Sequence, residues 1–337
     1  MAAPIPYPPL PLAERVGALD DSDDPLARYD ELGRRTKADL LLALPADWDW
    51  AGKRVLDFGC GAGRTLRHLL DEATEAQIWG CDIDAESIAW IDEHLSPPLH
   101  TLVNGELPPV DRPDGAFDLI FNVSVFTHLA ASWSAWLLEQ HRLLAPGGLL
   151  VATFMGPGMS WRIAGEPFDE HRVGMNVLAP GASWDDGGPM ILHAPWWLRT
   201  HWGRLFDVVR LQEHGFCAAP GDGHGVITLR RREVSLTAAD LERPDPDDPR
   251  EATALAHNRA QLERDAGDLR RALRDVREHD GALHLELQET RDWAQREARR
   301  AANAEHELGA VYGGATWRVT GPARAAVRAL RERGRRP

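Results

Sequence analysis

The stretch best suited to chemistry is Asp57-Phe58-Gly59-Cys60-Gly61-Ala62-Gly63. Val55, Leu56 and Phe58 read as a short strand buried on both faces. Gly59, Gly61 and Gly63 make a turn where no side chain obstructs a ligand approaching the backbone. From Arg64 the pattern turns helical, with Leu66, Leu69 and Leu70 on one face and Arg67, His68 and Asp71 on the other. In open α/β sheets this junction of strand end and helix start is where ligands bind. A second acid, Asp82, closes the run Gln77-Ile-Trp-Gly-Cys-Asp82, 19 residues after Gly63. An ionised carboxylate there accepts two hydroxyl groups at once, as a ribose offers. Asp84 is the better N-cap for the helix Ala85–Glu93 that follows. A dinucleotide turn would need glycine at 64, and Arg64 stands there instead.

The Asp57–Gly63 run resembles motif I of the class I S-adenosylmethionine-dependent methyltransferases, and Asp82 matches that family's ribose-binding acid. The resemblance covers residues 26 to 232 and implies an α/β, Rossmann-like seven-stranded sheet with S-adenosyl-L-methionine as cofactor. It places Asp57, Gly59, Cys60, Gly61 and Gly63 around the cofactor, with Asp57 as support beneath the turn. Asp82 and Ile83 fall at the ribose, Asn104 and Gly105 (or Glu106) at the adenine, and Asn122 after the fourth strand. Arg64 either pairs with an acid or reaches the cofactor carboxylate. An N-terminal helix over Leu26–Leu44, interrupted at Gly33, brings Tyr29 and Arg35 toward the methionine end or packs them on the sheet. Asn122–Leu129 matches a form common in methyltransferases encoded near glycan-assembly genes.

Methyl transfer from a sulfonium requires in-line approach at near-attack distance with water excluded. A hydroxyl acceptor also needs a general base. His128, four residues past Ser124, and His193, in the region of the substrate loops, are the candidate catalytic residues, with His171 behind them. Glu166, Asp169, Glu170 and His171 lack metal-ligand spacing, so no metal is expected. Among Trp161, Trp184, Trp196, Trp197 and Trp202, most are core or loop anchors, and one or two suit stacking on a sugar face.

The elements that position these residues follow in order. Residues 1–25, rich in Pro and Asp, are extended over the domain surface. His100–Glu106 holds the third strand and its turn, and Phe117–Phe121 the fourth strand. Trp136–Leu144 is a helix broken by Ala145-Pro-Gly-Gly148, Leu149–Phe154 is the fifth strand, and residues 155 to 193 are irregular. Pro195–Leu205 is helical, and Phe206–Leu211 with Val226–Arg230 forms the closing hairpin. Residues 233–250 are a linker, since Arg243–Pro249 (Arg-Pro-Asp-Pro-Asp-Asp-Pro) permits neither helix nor strand. Residues 251–310 are helical. Leu255, Leu262, Leu269, Val276 and Leu283 recur every seven residues, with Arg259 and Asp280 among the intervening positions and Gly281 as an interruption. A weak coiled coil and a solvated single helix both fit. Residues 311–337 form a basic helix with Arg328, Arg331, Arg333, Arg335 and Arg336. The run Ala315-Thr-Trp317-Arg-Val-Thr-Gly-Pro-Ala-Arg324 resembles the tail of bacterial cell-surface glycan glycosyltransferases and their associated methyltransferases.

The 337 residues, net charge of -14 and three cysteines without paired spacing argue for a reducing cytosol and against a general nucleic-acid partner. No apolar run reaches membrane-spanning length, and the Pro-rich start lacks the regions of a signal peptide. The expected reaction is O-methylation of a sugar of a cell-surface polysaccharide or its precursor. A small-molecule acceptor such as a secondary metabolite is the first alternative, and a non-catalytic scaffold the second. The expected location is cytoplasmic or peripheral at the inner face of the membrane. Membrane or glycosyltransferase contact would run through the tail, and homo-oligomer formation through the coiled coil.

Overall fold

The computed structural model describes residues 5–15, 19, 22–178 and 188–313, with the side chains of 307–313 excepted. Trp184 and nearly all of the basic segment 311–337 therefore lie outside the described residues. Residues to Asp265 form one compact unit and those from Ala266 a second.

The first unit is built on nine strands: β1 (Arg54–Phe58), β2 (Gln77–Asp82), β3 (His100–Val103), β4 (Phe117–Asn122), β5 (Leu144–Phe154), β6 (Met175–Leu178), β7 (Met190–His193), β8 (Phe206–Phe216) and β9 (His224–Arg231). Seven of them form one sheet in the order β3-β2-β1-β4-β5-β9-β8. The first five run parallel, and β9 runs antiparallel to both neighbours. Strand order reverses between β1 and β4, so the crevice at their carboxyl ends is the place for a ligand. Both faces are covered. Val55, Leu119, Phe121 and Val151 face one apolar cluster, while Leu56, Ile120 and Leu150 face the other. That period of two, with apolar residues at both phases, explains why these strands read as continuous hydrophobic runs.

Among the described residues there are eight α-helices: α1 (Leu10–Glu14), α2 (Pro25–Ala43), α3 (Ala85–His94), α4 (Trp133–Leu143), α5 (Ser160–Ala164), α6 (Pro195–His201), α7 (Ala238–Glu242) and α8 (Pro249–Gly313). α3 starts as expected, with the Asp84 carboxylate accepting from Glu86 N at 3.2 Å.

Three expectations are corrected. First, the segment after Arg64 is not an α-helix but a 3-10 turn over Leu66–His68 followed by another over Glu72–Thr74. An amphipathic helix needs a wet face, and here Arg67 and much of His68 on the polar face are covered as well, with Asp71 left exposed. Leu66 and Leu69 enter the core, and Arg67, expected outside, is 4% exposed. Its guanidinium lies 4.2 Å from the Tyr7 ring and donates to Ile5 O, which holds the N-terminal segment across it. Lys37 of α2 takes the His68 carbonyl at 2.8 Å, satisfying a group that a longer helix would have used. Second, α2 continues through Gly33, where it crosses the Arg64 backbone. A Cβ at 33 would lie 2.1 Å from the Arg64 carbonyl oxygen, so the glycine serves close approach rather than a break. Third, residues 155–193 are not wholly irregular. β6 and β7 pair as an antiparallel hairpin, tied to the main sheet by Ile191 N to Thr127 O at 2.9 Å and His193 N to Met155 O at 2.7 Å.

The first turns of α8 pack on the first unit. Glu251 accepts from the His201 ring at 2.7 Å, and Asn258 accepts from Val177 N at 3.1 Å. The helix then runs unbroken through Gly281. Among the described residues no helix is long and apolar enough to cross a membrane.

Replacing Gly33 by Ala should cost about 1–3 kcal/mol despite the better helix propensity of Ala, because backbone must move to admit the methyl. Denaturant unfolding followed by tryptophan fluorescence checks this.

Candidate active site

The site is built from the carboxyl end of β1 outward. Gly59, Gly61 and Gly63 all have left-handed backbones, with φ of 80°, 51° and 79°. Side chains would be strained there, so the spacing of glycines reflects backbone geometry as well as clearance. The turn is held from below by Cys81 O, which accepts from Gly59 N at 2.7 Å and Cys60 N at 3.1 Å. It is held from above by α2, where the buried Tyr29 hydroxyl donates to Ala62 O at 3.0 Å. Tyr29 thus meets the turn itself. Arg64 stands half-buried at its end, and desolvation lowers its pKa.

Asp82 ties the turn to the next strand. Its Oδ2 accepts from Gly61 N at 2.6 Å and its Oδ1 from Asp84 N at 2.9 Å. Each oxygen keeps a lone pair, enough for two ribose hydroxyls. Burial raises the Asp82 pKa against the pull of those N–H groups. Asp57 is 3% exposed beneath the turn, and burial followed by the Asp82 charge pushes its carboxyl well above the usual range. A positively charged ligand at this edge would favour ionisation of both acids.

After β3, Asn104 N donates to Asp82 O at 3.1 Å, and its side chain bridges Cys81 Sγ at 3.1 Å and Gly105 O at 2.8 Å. Asn104 and Gly105 therefore lie next to Asp82 and Ile83. Asn122 is 1% exposed and donates to Gln140 of α4 at 2.9 Å, while its own Oδ1 is buried without a partner.

The acceptor side centres on the loop after β4. Ser124 has a φ of 61°, an uncommon conformation for a residue with a side chain, and its N–H donates to Thr153 Oγ1 of β5 at 2.7 Å. The His128 ring fits between two groups, with Nδ1 2.9 Å from Pro189 O and Nε2 3.4 Å from Ser124 Oγ. A carbonyl can only accept, so Nδ1 carries the proton and Nε2 presents a lone pair. Burial lowers the His128 pKa, which keeps the ring neutral. His193 differs. It is fully buried with both ring nitrogens unpartnered, stands against Trp197 and Trp202, and burial lowers its pKa to about 3. His171 lies on an exposed loop with Glu170 and Asp169. Among the described residues no group of three or more His, Cys, Asp or Glu is placed to hold a metal.

Three participants were not singled out in the sequence. Thr153 anchors Ser124. Val125 stands directly on Gly59, where a Cβ would lie 2.3 Å from Val125 Cγ2. His224, the first residue of β9, has an Nε2 buried without a partner. Burial, then the charges of His128, Arg64 and Arg162, lower its pKa to about 4. Only pairing of β9 with β5 brings it to this edge, so no local motif could have marked it. Of the loop tryptophans, Trp196, Trp197 and Trp202 are core, whereas Trp161 on α5 is 69% exposed.

Residues 55–148 match the family described as a methyltransferase domain. The match runs from β1 into β5 and takes in the glycine turn, Asp82 and the Ser124–His128 loop. The chain is 32% identical over 133 residues to a fatty-acid O-methyltransferase of Mycolicibacterium smegmatis, covering 40% of this chain and 48% of that protein. It is 28% identical over 154 residues to a phthiotriol/phenolphthiotriol dimycocerosates methyltransferase of Mycobacterium ulcerans, covering 44% and 54%. The chain thus spans about half the length of the curated relatives it matches. A solved structure of a putative S-adenosylmethionine dependent methyltransferase from Listeria monocytogenes aligns with a TM-score of 0.45 at 16% identity, over 60% of this chain and 98% of that one. The left-handed glycine cradle, the spare acceptor positions on Asp82 and the polar edge at Asn104 fit S-adenosylmethionine.

Asp82→Asn, which turns a donor toward Gly61 N–H or Asp84 N–H, should weaken S-adenosylmethionine binding roughly 10- to 100-fold by calorimetry, with the fold kept. Asp57 yields a pH prediction for the ligand-free protein. Its raised native pKa means that between the ordinary value and the raised one the folded state binds more protons, so stability falls as pH rises through that window. Asp57→Asn removes that loss. Its gain over the natural protein in denaturant midpoint should be larger at pH 8 than at pH 4.5.

Proposed function

We propose that the protein transfers a methyl group from S-adenosylmethionine to an oxygen of a sugar in a cell-surface polysaccharide or its precursor. The observation that carries the methyl-transfer part is the Asp82 carboxylate bonded to the middle glycine of a left-handed turn, inside a matched methyltransferase domain. The cofactor supplies an electrophilic methyl on a sulfonium. The protein's task is then to orient the acceptor, exclude water and take a proton.

His128 is assigned the last of these. With Nδ1 fixed on the Pro189 carbonyl, Nε2 is oriented to accept a proton from an acceptor hydroxyl, and Ser124 Oγ helps align it. Burial of the ring keeps the base in its neutral form. His193 has no exposed surface and is assigned to the core beneath the β6–β7 hairpin. The sugar is supported by the resemblance of Asn122–Leu129 and of the tail to glycan-assembly proteins, and by Trp161, whose open indole suits a sugar's C–H face.

A second reading has its own support. The relative named for fatty acids acts on a carboxyl-bearing acceptor, and the guanidinium groups of Arg64 and Arg162 lie near the neutral rings of His128 and His224 at this edge, which would suit a carboxylate. The two readings leave different bonds. A sugar hydroxyl gives a methyl ether stable to mild alkali, whereas a carboxylate gives a methyl ester that alkali removes. Labelled cofactor incubated with glycan and lipid extracts should leave alkali-stable label in the glycan. Alkali-labile label confined to lipid overturns the sugar acceptor, and no label in either overturns the enzyme.

His128→Gln should lower kcat roughly 100- to 10,000-fold with little change in cofactor affinity. A base whose pKa lies below 6.5 is deprotonated at neutral pH, so kcat of the natural enzyme should fall only on the acid side, with the midpoint of that limb below pH 6.5.

A further inference from the structure

From Ala266 onward α8 displays a row of apolar side chains to solvent. Leu269, Leu273, Val276, Leu283 and Leu287 are 63%, 50%, 64%, 49% and 51% exposed. They occupy alternating a and d positions of a heptad, with Ala266, Leu273 and Leu287 at a and Leu269, Val276 and Leu283 at d. Long helices in water derive most of their stability from burying such a face, not from propensity.

We infer that this face is covered by the same face of a second copy of the chain, the two helices running parallel and in register. The flanking charges select this occupant. In a parallel pair each g residue meets the e residue of the next heptad on the other helix. Asp265 then faces Arg270 of the other copy, and Glu286 faces Arg291, each pairing made twice by symmetry. Overlapping the same apolar layers antiparallel would instead set Arg270 against Arg277 and Asp265 against Glu286, again twice over, and like charges repel at both ends. Arg270, Glu286 and Arg291 are exposed, and the half-buried Asp265 accepts from Gln261 Nε2 of its own helix at 2.7 Å through Oδ1, which leaves Oδ2 for the second copy.

The two charged a positions also bear on register. Arg259 is paired within its own helix to Glu263 at 2.9 Å, and Asp280 to His284 at 3.5 Å. In register each of these layers meets its own like, with its charge partly satisfied in cis. A slip of one heptad would press Asp280 against Leu273 or Leu287, burying a carboxylate against carbon. A polar a layer of this kind weakens a zipper while fixing its alignment. Gly267 and Gly281 fall at b, away from the seam, so the small residues do not break it. The inference does not depend on the identity of the acceptor or on the chemistry of the active site.

The test uses the full chain in light scattering after size exclusion and in a disulfide assay. The expected mass is twice the chain's 37.4 kDa. Leu273→Glu should convert it to monomer. Leu285→Glu, which alters an equally exposed leucine (65%) at an f position off the seam, should leave the dimer unchanged. Ala266→Cys should form an intermolecular disulfide under mild oxidation, because only parallel in-register helices bring the two copies of position 266 together. A monomer at micromolar concentration, a trimer, or a dimer indifferent to Leu273→Glu overturns the inference. A dimer broken by Leu273→Glu that yields no Ala266→Cys disulfide overturns the parallel arrangement. Cofactor titration of each variant verifies that the catalytic unit is intact.

Discussion

The Asp82 carboxylate, accepting from Gly61 N at 2.6 Å and from Asp84 N at 2.9 Å, joins the end of β2 to the glycine turn after β1 and to the start of α3. Everything on the cofactor side depends on that three-way junction. The turn can approach Asp82 only because three of its residues adopt left-handed backbones. Asp84, released from any ligand role, caps α3 and receives Arg15 from the N-terminal segment, whose guanidinium also reaches Glu86 at 2.8 Å. Tyr29 and Gly33 press the other side of the turn through α2. The cradle is therefore preorganised by packing on every side, which lowers the conformational cost of binding. Raised carboxyl pKa values are the electrostatic counterpart, since burial of Asp57 and Asp82 disfavours their charged forms until a cation arrives.

The loop after β4 meets the glycine turn where Val125 rests on Gly59. Ser124 holds an uncommon left-handed backbone there, a conformation that costs on the order of 1–3 kcal/mol and is offset by its bond to Thr153. That conformation turns the chain so that His128 lies beneath the β6–β7 hairpin, and the Pro189 carbonyl then selects one tautomer. The hairpin inserted after β5 thus does two things at once: Ile191 N–H ties it to Thr127 O of this loop, and the Pro189 carbonyl defines which His128 nitrogen is free.

The long helix begins as part of the first compact unit and continues into the second. Its first turns are anchored by Glu251, 5% exposed, against His201, 2% exposed, with the other His201 nitrogen on Leu241 O at 2.6 Å. A buried pair of this kind gives location more than stability. Beyond Asp265 the helix presents Leu269, Leu273, Val276, Leu283 and Leu287 to solvent.

Much of this was legible in residue order. The β1 run, the glycine spacing, Asp82 as the acid closing β2, Asp84 as a cap and Phe117–Phe121 as a strand are local signals, each set by backbone geometry or by a period of two. Tertiary contacts alone decided the rest. Residues 64–71 carry a helical pattern yet form 3-10 turns, because α2 and the N-terminal segment cover the face that a helix would have left in water. Gly33 reads as an interruption and is a crossing point. His128 and His193 look alike as residues, and only packing separates a ring held by one carbonyl from a ring sealed in the core. His224 and Thr153 reach the site through the β5–β9 and β4–β5 pairings, which join residues far apart in sequence. Local order encodes what a backbone does within a turn or a strand; which side chains share one pocket follows from how the strands are laid side by side.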